Sequence, residues 1–312
     1  MLAHANSICG EYAGQGYDLT LRQLYYQFVA RGLLPNTVKS YEMLGNVVNR
    51  GRLAGMLDWN YISDRSRNLV SYDGFRGIPD ALDSTANGHS LEKWEEQPSY
   101  VEVWVEKEAL AGVISRASYE YETAYFACKG YVSQSEMWRA GRRFCRKLSE
   151  GKRVIVLHLG DHDPSGIDMT RDIIDRLELF IFTDWLDRYS TGSELYSDIR
   201  ADIAAHTDWP NPLEIRRIAL TMDQVQEVDP PPNPAKVTDP RARSYIAEYG
   251  DTSWELDALE PQYLEALIRE HVEPIVDEEV WTETVNRQEE ERRTLEALRS
   301  RWSEVESLLN GG

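Results

Sequence analysis

Hydrophobic positions change their period along the chain, and the changes divide it. Leu21, Leu24, Tyr25 and Phe28 recur at i, i+3, i+4 and i+7, which predicts an amphipathic helix over 21–30. Asp18-Leu-Thr20 supplies capping residues ahead of it, Gly32 closes it and Pro35-Asn36 marks a turn. A second amphipathic helix is predicted over 40–54, with Met43, Val47, Val48 and Leu53 as its apolar positions. Residues 1–17, with Gly10, Gly14 and Gly16, read as a short lead or helix, and 55–67 as a connection into a small extended element. Residues 71–99 show no period and read as a linker or surface excursion.

The period changes at Tyr100. Val101–Val105 alternates like a strand and delivers Glu106 at its end. Helix-like 107–117, strand-like 123–128, a basic amphipathic helix over 134–148, a strand over 154–159 and a helix from Gly166 to about Phe180 follow. Strand alternating with helix predicts a parallel sheet with right-handed crossovers. Residues 181–213 read as mixed helix and loop, and 214–220 as a further strand. The prolines of 229–234 exclude helix there, and 263–276 and 287–309 read as helices. The last of these carries an apolar stripe of Leu295, Leu298, Trp302, Val305 and Leu309 that suits docking on the body or pairing with a second chain. The predicted fold class is α/β: a winged helix-turn-helix region, whose short helices include a basic second one, precedes a parallel-sheet domain.

Composition narrows the classes. The chain has 312 residues, 42% of them hydrophobic, enough for a large core or several domains. No run approaches a membrane span and no signal pattern opens the chain, so a cytoplasmic, membrane-free protein is expected. Cys9, Cys128 and Cys145 lack metal spacing, which predicts free thiols and no zinc site. The net charge of −19 opposes nucleic-acid binding by the chain as a whole. The charge is uneven, however: over 18–67, Arg22, Arg31, Lys39, Arg50, Arg52, Arg65 and Arg67 face only Asp18, Glu42, Asp58 and Asp64. Net charge says little about one local face.

The candidate chemistry centres on Val154–Asp168. The strand runs into a turn holding Asp161 and Asp163, and Pro164 and Gly166 stop its continuation. Carboxylates at i and i+2 project to one side of an extended backbone, at the strand end where open α/β sheets build their sites. Two readings fit these residues: hard oxygen ligands for Mg²⁺, or side chains that cap the next helix. Tyr26 and Arg22, at i and i+4, share one helix face, whereas Tyr25 falls on the apolar stripe. Arg31, Lys39, Arg50, Arg52 and Lys129 are the candidate DNA-phosphate contacts. His162 is a weaker candidate for proton transfer, and Asp168 is expected to face outward from the following helix.

Several blocks then carry a family resemblance. Glu106 at one strand end, with Asp161-His-Asp163-Pro-Ser-Gly166 after a later strand, resembles the Toprim domain of topoisomerases, primases and related nucleases. Thr20-x-Arg22-x-x-Tyr25-Tyr26 resembles the catalytic winged helix of the topoisomerase VI A subunit and of the meiotic double-strand-break transesterase. Val105-Glu106-Lys107-Glu108-Ala109, Lys129-Gly130-Tyr131, the 231–241 segment with Lys236, Asp239 and Arg241, and Trp254–Leu259 are similar to further stretches of that family. Together they cover roughly 18–67, 100–172 and 214–260.

The resemblance implies a Mg²⁺-dependent enzyme, with Mn²⁺ able to substitute, that cleaves double-stranded DNA by tyrosine transesterification. Tyr26 would be the nucleophile with Arg22 beside it, and Glu106, Asp161 and Asp163 the metal ligands; Glu255 and Asp257 would either support those ligands from behind or serve the fold. It implies a homodimer in which the Tyr of one protomer serves the metal site of the other, and a possible separate ATPase partner. The implied organisation is a winged-helix domain over 1–70, a linker over 71–99, a Toprim-like domain over 100–280 and a C-terminal helix over 281–312. Two alternatives stand beside it: a Toprim nuclease that hydrolyses DNA with metal-activated water, and a non-catalytic DNA-binding scaffold. The chain departs from the family where Ser165 replaces a bulkier residue, and where the Tyr motif lies too near the N-terminus to leave room for an ATPase-contacting arm.

Overall fold

A computed structural model describes residues 1–62, 74–189 and 213–311. The chain divides into two compact units, Met1–Arg67 with Tyr100–Glu273, and Asn68–Ser99 with Pro274–Gly312. Among the described residues no helix is long and apolar enough to cross a membrane. No disulfide joins Cys9, Cys128 and Cys145, all of which are buried.

The first unit opens with α1 (Leu2–Gly14), α2 (Leu21–Ala30) and α3 (Val38–Leu53). The lead segment is therefore a packed helix. Ala5, Ile8, Cys9 and Tyr12 of α1 join Leu24, Tyr25, Tyr26 and Phe28 of α2, and Leu44 and Val48 of α3, in one core. A reciprocal capping box starts α2: Thr20 Oγ1 accepts from Gln23 N–H, and Gln23 Oε1 accepts from Thr20 N–H. Such a cap stabilises a helix by about 1 kcal/mol. On α3 the packed face is Leu44, Val48 and Gly51, while Met43 and Leu53, expected in the core, face solvent. The same helical period accommodates a rotated stripe, and contact with α1 and α2 decides which is buried. After α3 the described chain holds a short 3₁₀ turn and one parallel bridge, Leu19 to Ile62. The rest of the extended element expected over 55–67 lies outside the described residues, so the helices are in place without a described wing.

The sheet is parallel, in the order β2-β1-β3-β4, from β1 (Ser99–Val105), β2 (Ala124–Ala127), β3 (Arg153–Leu159) and β4 (Leu213–Ala219). Its connections include α5 (Ala111–Glu120), α6 (Gln134–Ser149) and α7 (Pro164–Tyr189). β1 and β3 are buried along almost their whole length, as central parallel strands must be. Where helix and loop were expected over 181–213, α7 runs on to Tyr189, and 190–212 lie outside the described residues. Beyond β4 come α8 (Met222–Val228), the small pairing of β5 (Asn233–Pro234) with β6 (Thr252–Ser253), α9 (Ala242–Tyr249) and α10 (Pro261–Val272).

The second unit corrects the expectation of a linker over 71–99, since Ile78–Gly88 forms α4, with Pro79 in its first turn. This helix packs along α11 (Glu278–Ser300), and a further helix, α12 (Trp302–Asn310), follows a break at Arg301. The single terminal helix expected over 281–312 is thus two. The lack of period over 71–99 reflects a short helix buried on one partner only, with Ala86 its one buried position.

Candidate active site at the carboxyl ends of the strands

β1 and β3 are neighbours, so their carboxyl ends present Glu106 and Asp161 side by side. Glu106 N–H donates to Leu159 O (2.9 Å), and Asp161 N–H donates to Glu106 Oε2 (2.8 Å). Two glycines permit this turn. A Cβ on Gly160 would lie 2.9 Å from Arg217 Nη1 and 3.3 Å from Glu106 Oε2, and one on Gly166 only 2.2 Å from Asp161 O. Burial and the Asp161 charge raise the Glu106 carboxyl to about 7. Burial lifts Asp161 to about 6, with Lys107 and the Leu256 N–H pulling the other way. Close buried carboxylates resist joint ionisation, which is the demand a cation answers.

Asp163, whose charge also acts on Glu106, makes contacts of its own. Its Oδ1 accepts from Ser165 Oγ (2.8 Å) and Gly166 N–H (2.6 Å), capping α7 with Pro164 at the first helical position. Lys236 approaches its Oδ2 at 3.9 Å. The capping reading of this turn is therefore realised at Asp163, and one of its oxygens remains for other work. Among the described residues, no group of three or more His, Cys, Asp or Glu side chains is assembled as a metal cage.

Glu255 and Asp257 reach the centre on the stretch that follows β6. Trp254 and His162 exchange two backbone hydrogen bonds (2.8 and 2.9 Å), and Leu256 N–H donates to Asp161 Oδ1 (2.8 Å). Lys107, one residue past Glu106, fills the space between. Its Nζ lies 2.8 Å from Asp161 Oδ2, 2.8 Å from Glu255 Oε2 and 2.9 Å from Asp257 Oδ2. Burial opposes the Lys107 charge, but Asp161, Asp257 and Glu255 outweigh it and hold the ammonium above its ordinary range. Asp257 Oδ1 is buried without a hydrogen-bond partner.

From the other side, α2 brings Arg22 and Tyr26 to the same carboxylates. Arg22 Nη2 donates to both Glu255 oxygens, at 2.6 Å to Oε1, and its Nε lies 3.4 Å from Asp257 Oδ2. The guanidinium stands 5.8 Å from the Tyr26 ring centre. Tyr26 is only 2% exposed, and Asn233 Nδ2 donates to its hydroxyl oxygen (3.0 Å). Burial and Glu255 raise the phenol above its ordinary value, while the Asn233 hydrogen bond, Arg22 and Lys107 draw it back. Tyr25 packs in the core, and its hydroxyl accepts from Thr37 N–H (2.7 Å).

Other predicted groups serve the fold. His162 is buried against Tyr245, Tyr249 and Trp254, with Nδ1 2.8 Å from Tyr245 Oη, and burial and Arg217 lower it to about 4. Asp168 does not simply face outward. It accepts from Tyr131 (2.6 Å), Arg241 (2.9 Å) and Arg171 (2.7 Å), which hold it down to about 2 against partial burial. Of the phosphate-contact candidates, Lys39 and Arg50 are exposed on α3. Arg31 pairs with Glu11 (2.9 Å) and Lys129 with Glu108 (2.7 Å). Arg52 is committed within the fold, donating to Trp59 O and Ile62 O and lying over the Trp59 ring.

Two residues central to the geometry were not predicted. One is Lys107, quoted only as part of a motif. The other is Arg217 of β4, whose Nη1 donates to Gly166 O and Thr170 Oγ1, and whose Nη2 donates to Gly160 O, Asp161 O and Leu220 O. Its strand, Leu213–Ala219, also carries Glu214 and Arg216, so no local signal singled Arg217 out. In comparisons with known proteins, no family model and no curated sequence matches this chain.

Proposed function

We propose that this chain is a divalent-metal-dependent, DNA-cleaving transesterase that resembles topoisomerase VI A subunits, with Tyr26 as nucleophile. One observation carries the reading: α2 delivers Arg22 and Tyr26 to the carboxylates at the ends of β1 and β3, through Glu255, Asp257 and Lys107. The carboxylate oxygens of this centre suit a hard cation, and Asp257 Oδ1, buried beside Lys107 without a donor, marks an unmet demand for positive charge. Glu106 and Asp161, with the unspent oxygen of Asp163, would hold such an ion. When bound, it supplies charge neutralisation at the phosphate under attack.

The protein groups account for the remaining chemistry. The Tyr26 oxygen loses its proton and bonds to phosphorus as the bond to the 3′ oxygen breaks, and the leaving 3′ oxygen takes up a proton in exchange, so no net proton is released. The phosphate stays on Tyr26 through its 5′ side. Arg22, one helical turn away, is placed to hold a phosphate oxygen once it leaves Glu255. Asn233 fixes the phenol, so DNA entry requires the 231–236 segment to release it. The resemblance implies a Tyr and a metal site from different protomers. Within this chain Arg22 meets Glu255 and Asp257, which lie beside the carboxylates of the same chain.

A second reading, metal-dependent hydrolysis with Tyr26 structural, is favoured by the near-complete burial of Tyr26. Incubation with supercoiled plasmid and Mg²⁺ or Mn²⁺, quenched with detergent, separates the two. Protein-linked 5′ ends that vanish in Tyr26→Phe support transesterification. Free ends that persist in Tyr26→Phe but vanish in Asp161→Asn support hydrolysis. A chain that binds plasmid but cuts none, with or without these changes, is a scaffold.

A further inference from the structure

We propose that Lys107 is the resident counter-ion of the carboxylate centre, and that a divalent cation enters by taking Asp161 from it. The inference rests on the metal-binding reading above and assigns Lys107 a part in it. An ammonium has three N–H donors, and Lys107 spends them on three separate carboxylates, Asp161, Glu255 and Asp257, all within 2.9 Å. Its side chain is 21% exposed, and that of Asp257 is fully buried. A lysine drawn into such a position fills the electrostatic role of a metal while no metal is bound.

Both oxygens of Asp161 are engaged. Oδ1 takes the Leu256 N–H, and Oδ2 takes Lys107. The backbone contact is fixed by the segment that follows β6, so the oxygen open to exchange is the one Lys107 holds. A divalent ion on Asp161 beside an unmoved ammonium would place three positive charges within a few ångströms. The repulsion displaces the more mobile group, which is the flexible four-carbon side chain. The buried, partnerless Asp257 Oδ1 is an independent sign that Lys107 leaves the demand for positive charge unmet.

Exchange at Asp161 also reaches the other half of the site. Lys107 shares Glu255 and Asp257 with Arg22, and Arg22 lies one helical turn from Tyr26. A Lys107 released from Asp161 retains those two acceptors and competes there with Arg22. Metal entry thus loosens the arginine that the transesterification needs.

The test measures Mn²⁺ binding to the full chain by calorimetry and by loss of the free-ion spin-resonance signal, without DNA. Wild type, Lys107→Met and Asp161→Asn are compared, with melting temperatures in chelator and in saturating Mn²⁺. With its competitor removed, Lys107→Met is expected to bind Mn²⁺ at least about tenfold more tightly. It should also melt lower than wild type in chelator and recover in Mn²⁺. Equal or weaker binding in Lys107→Met, with binding lost in Asp161→Asn, overturns the exchange and leaves the metal reading intact. No binding by wild type or by Lys107→Met overturns both. Should Lys107→Met fail to fold, lysine-Nζ resonances of the wild-type chain, assigned by Lys107→Arg, serve instead. The Lys107 signal shifts on Mg²⁺ addition if exchange occurs, and a signal unmoved at saturation overturns it.

Discussion

Replacing Glu106 by Gln should stabilise the protein in chelator at mildly alkaline pH, although Glu106 lies at the centre of the site. Burial and the neighbouring Asp161 hold its carboxyl near 7, against an ordinary 4.5. The folded state therefore keeps a proton that the unfolded chain releases. The sign follows: the penalty is fully present above about pH 7, fades as pH falls, and is absent below about pH 4.5. Each pH unit between the two values corresponds to about 1.36 kcal/mol, so the full penalty is about 3 kcal/mol. Glutamine keeps an oxygen for the Asp161 N–H that Glu106 Oε2 now accepts, but must place an amide where the second oxygen was. A net gain of about 1–3 kcal/mol is expected. Urea unfolding in chelator at about pH 8 and pH 5 measures it, with most of the gain at the higher pH and less than about 1 kcal/mol at the lower. A Glu106→Gln protein less stable than wild type at the higher pH, or equally stabilised at both, would refute the view of Glu106 as a strained carboxylate awaiting a cation.

Arg217 donates to four backbone carbonyls and Thr170 around the Asp161 turn, so Arg217→Met should cost about 3–5 kcal/mol in urea unfolding. A loss under about 1 kcal/mol would show the turn to be held otherwise. His158 is fully buried, with Nδ1 2.9 Å from Thr170 Oγ1, and burial and Arg217 lower it from 6.5 to about 3. Because the unfolded chain takes up the proton first, stability should fall as pH drops below 6.5, by about 2 kcal/mol at pH 5. His158→Gln should remove that part of the slope between about pH 7.5 and 5, and an unchanged slope would refute it. Duplex DNA, followed by fluorescence anisotropy, should bind at least about tenfold more tightly in Ca²⁺ than in chelator, and metal-independent binding would place the interface elsewhere.

Periodicity served best where one face of an element is buried and the other wet. The amphipathic α6 was therefore legible, as was the helix carrying Arg22 and Tyr26, whereas the central strands, buried on both faces, were read from short runs rich in β-branched residues. On α2 the stripe understated the burial. Gln23, Tyr26 and Gln27 are buried too, because Glu260 reaches Gln27 (2.8 Å) and Asn233 reaches Tyr26, from more than two hundred residues away. Such partners leave no local signal. The same reason hid α4, a short helix supported on one side by a segment two hundred residues later. Glu106 and Asp161 were legible because strand ends in a parallel sheet have predictable neighbours. Lys107 was not, since a lysine after a strand is usually solvated, and only the arrival of Glu255 and Asp257 makes it an internal ion.

That arrival also bears on the tension between an acidic chain and the proposed polyanionic substrate. At a net charge of −19, the proposed DNA substrate would have to be met by local cations. Two cations of the proposed centre, Arg22 and Lys107, are bound to carboxylates of the same chain. A cation of higher charge on Glu106 and Asp161 changes that balance twice. It would neutralise the pair directly, and, by moving Lys107 from Asp161 onto Glu255 and Asp257, it would loosen Arg22 from those acids. On this reading the acidity of the centre keeps its arginine and lysine away from phosphate until metal and DNA arrive together, which couples DNA affinity to the ion that the cleavage step needs.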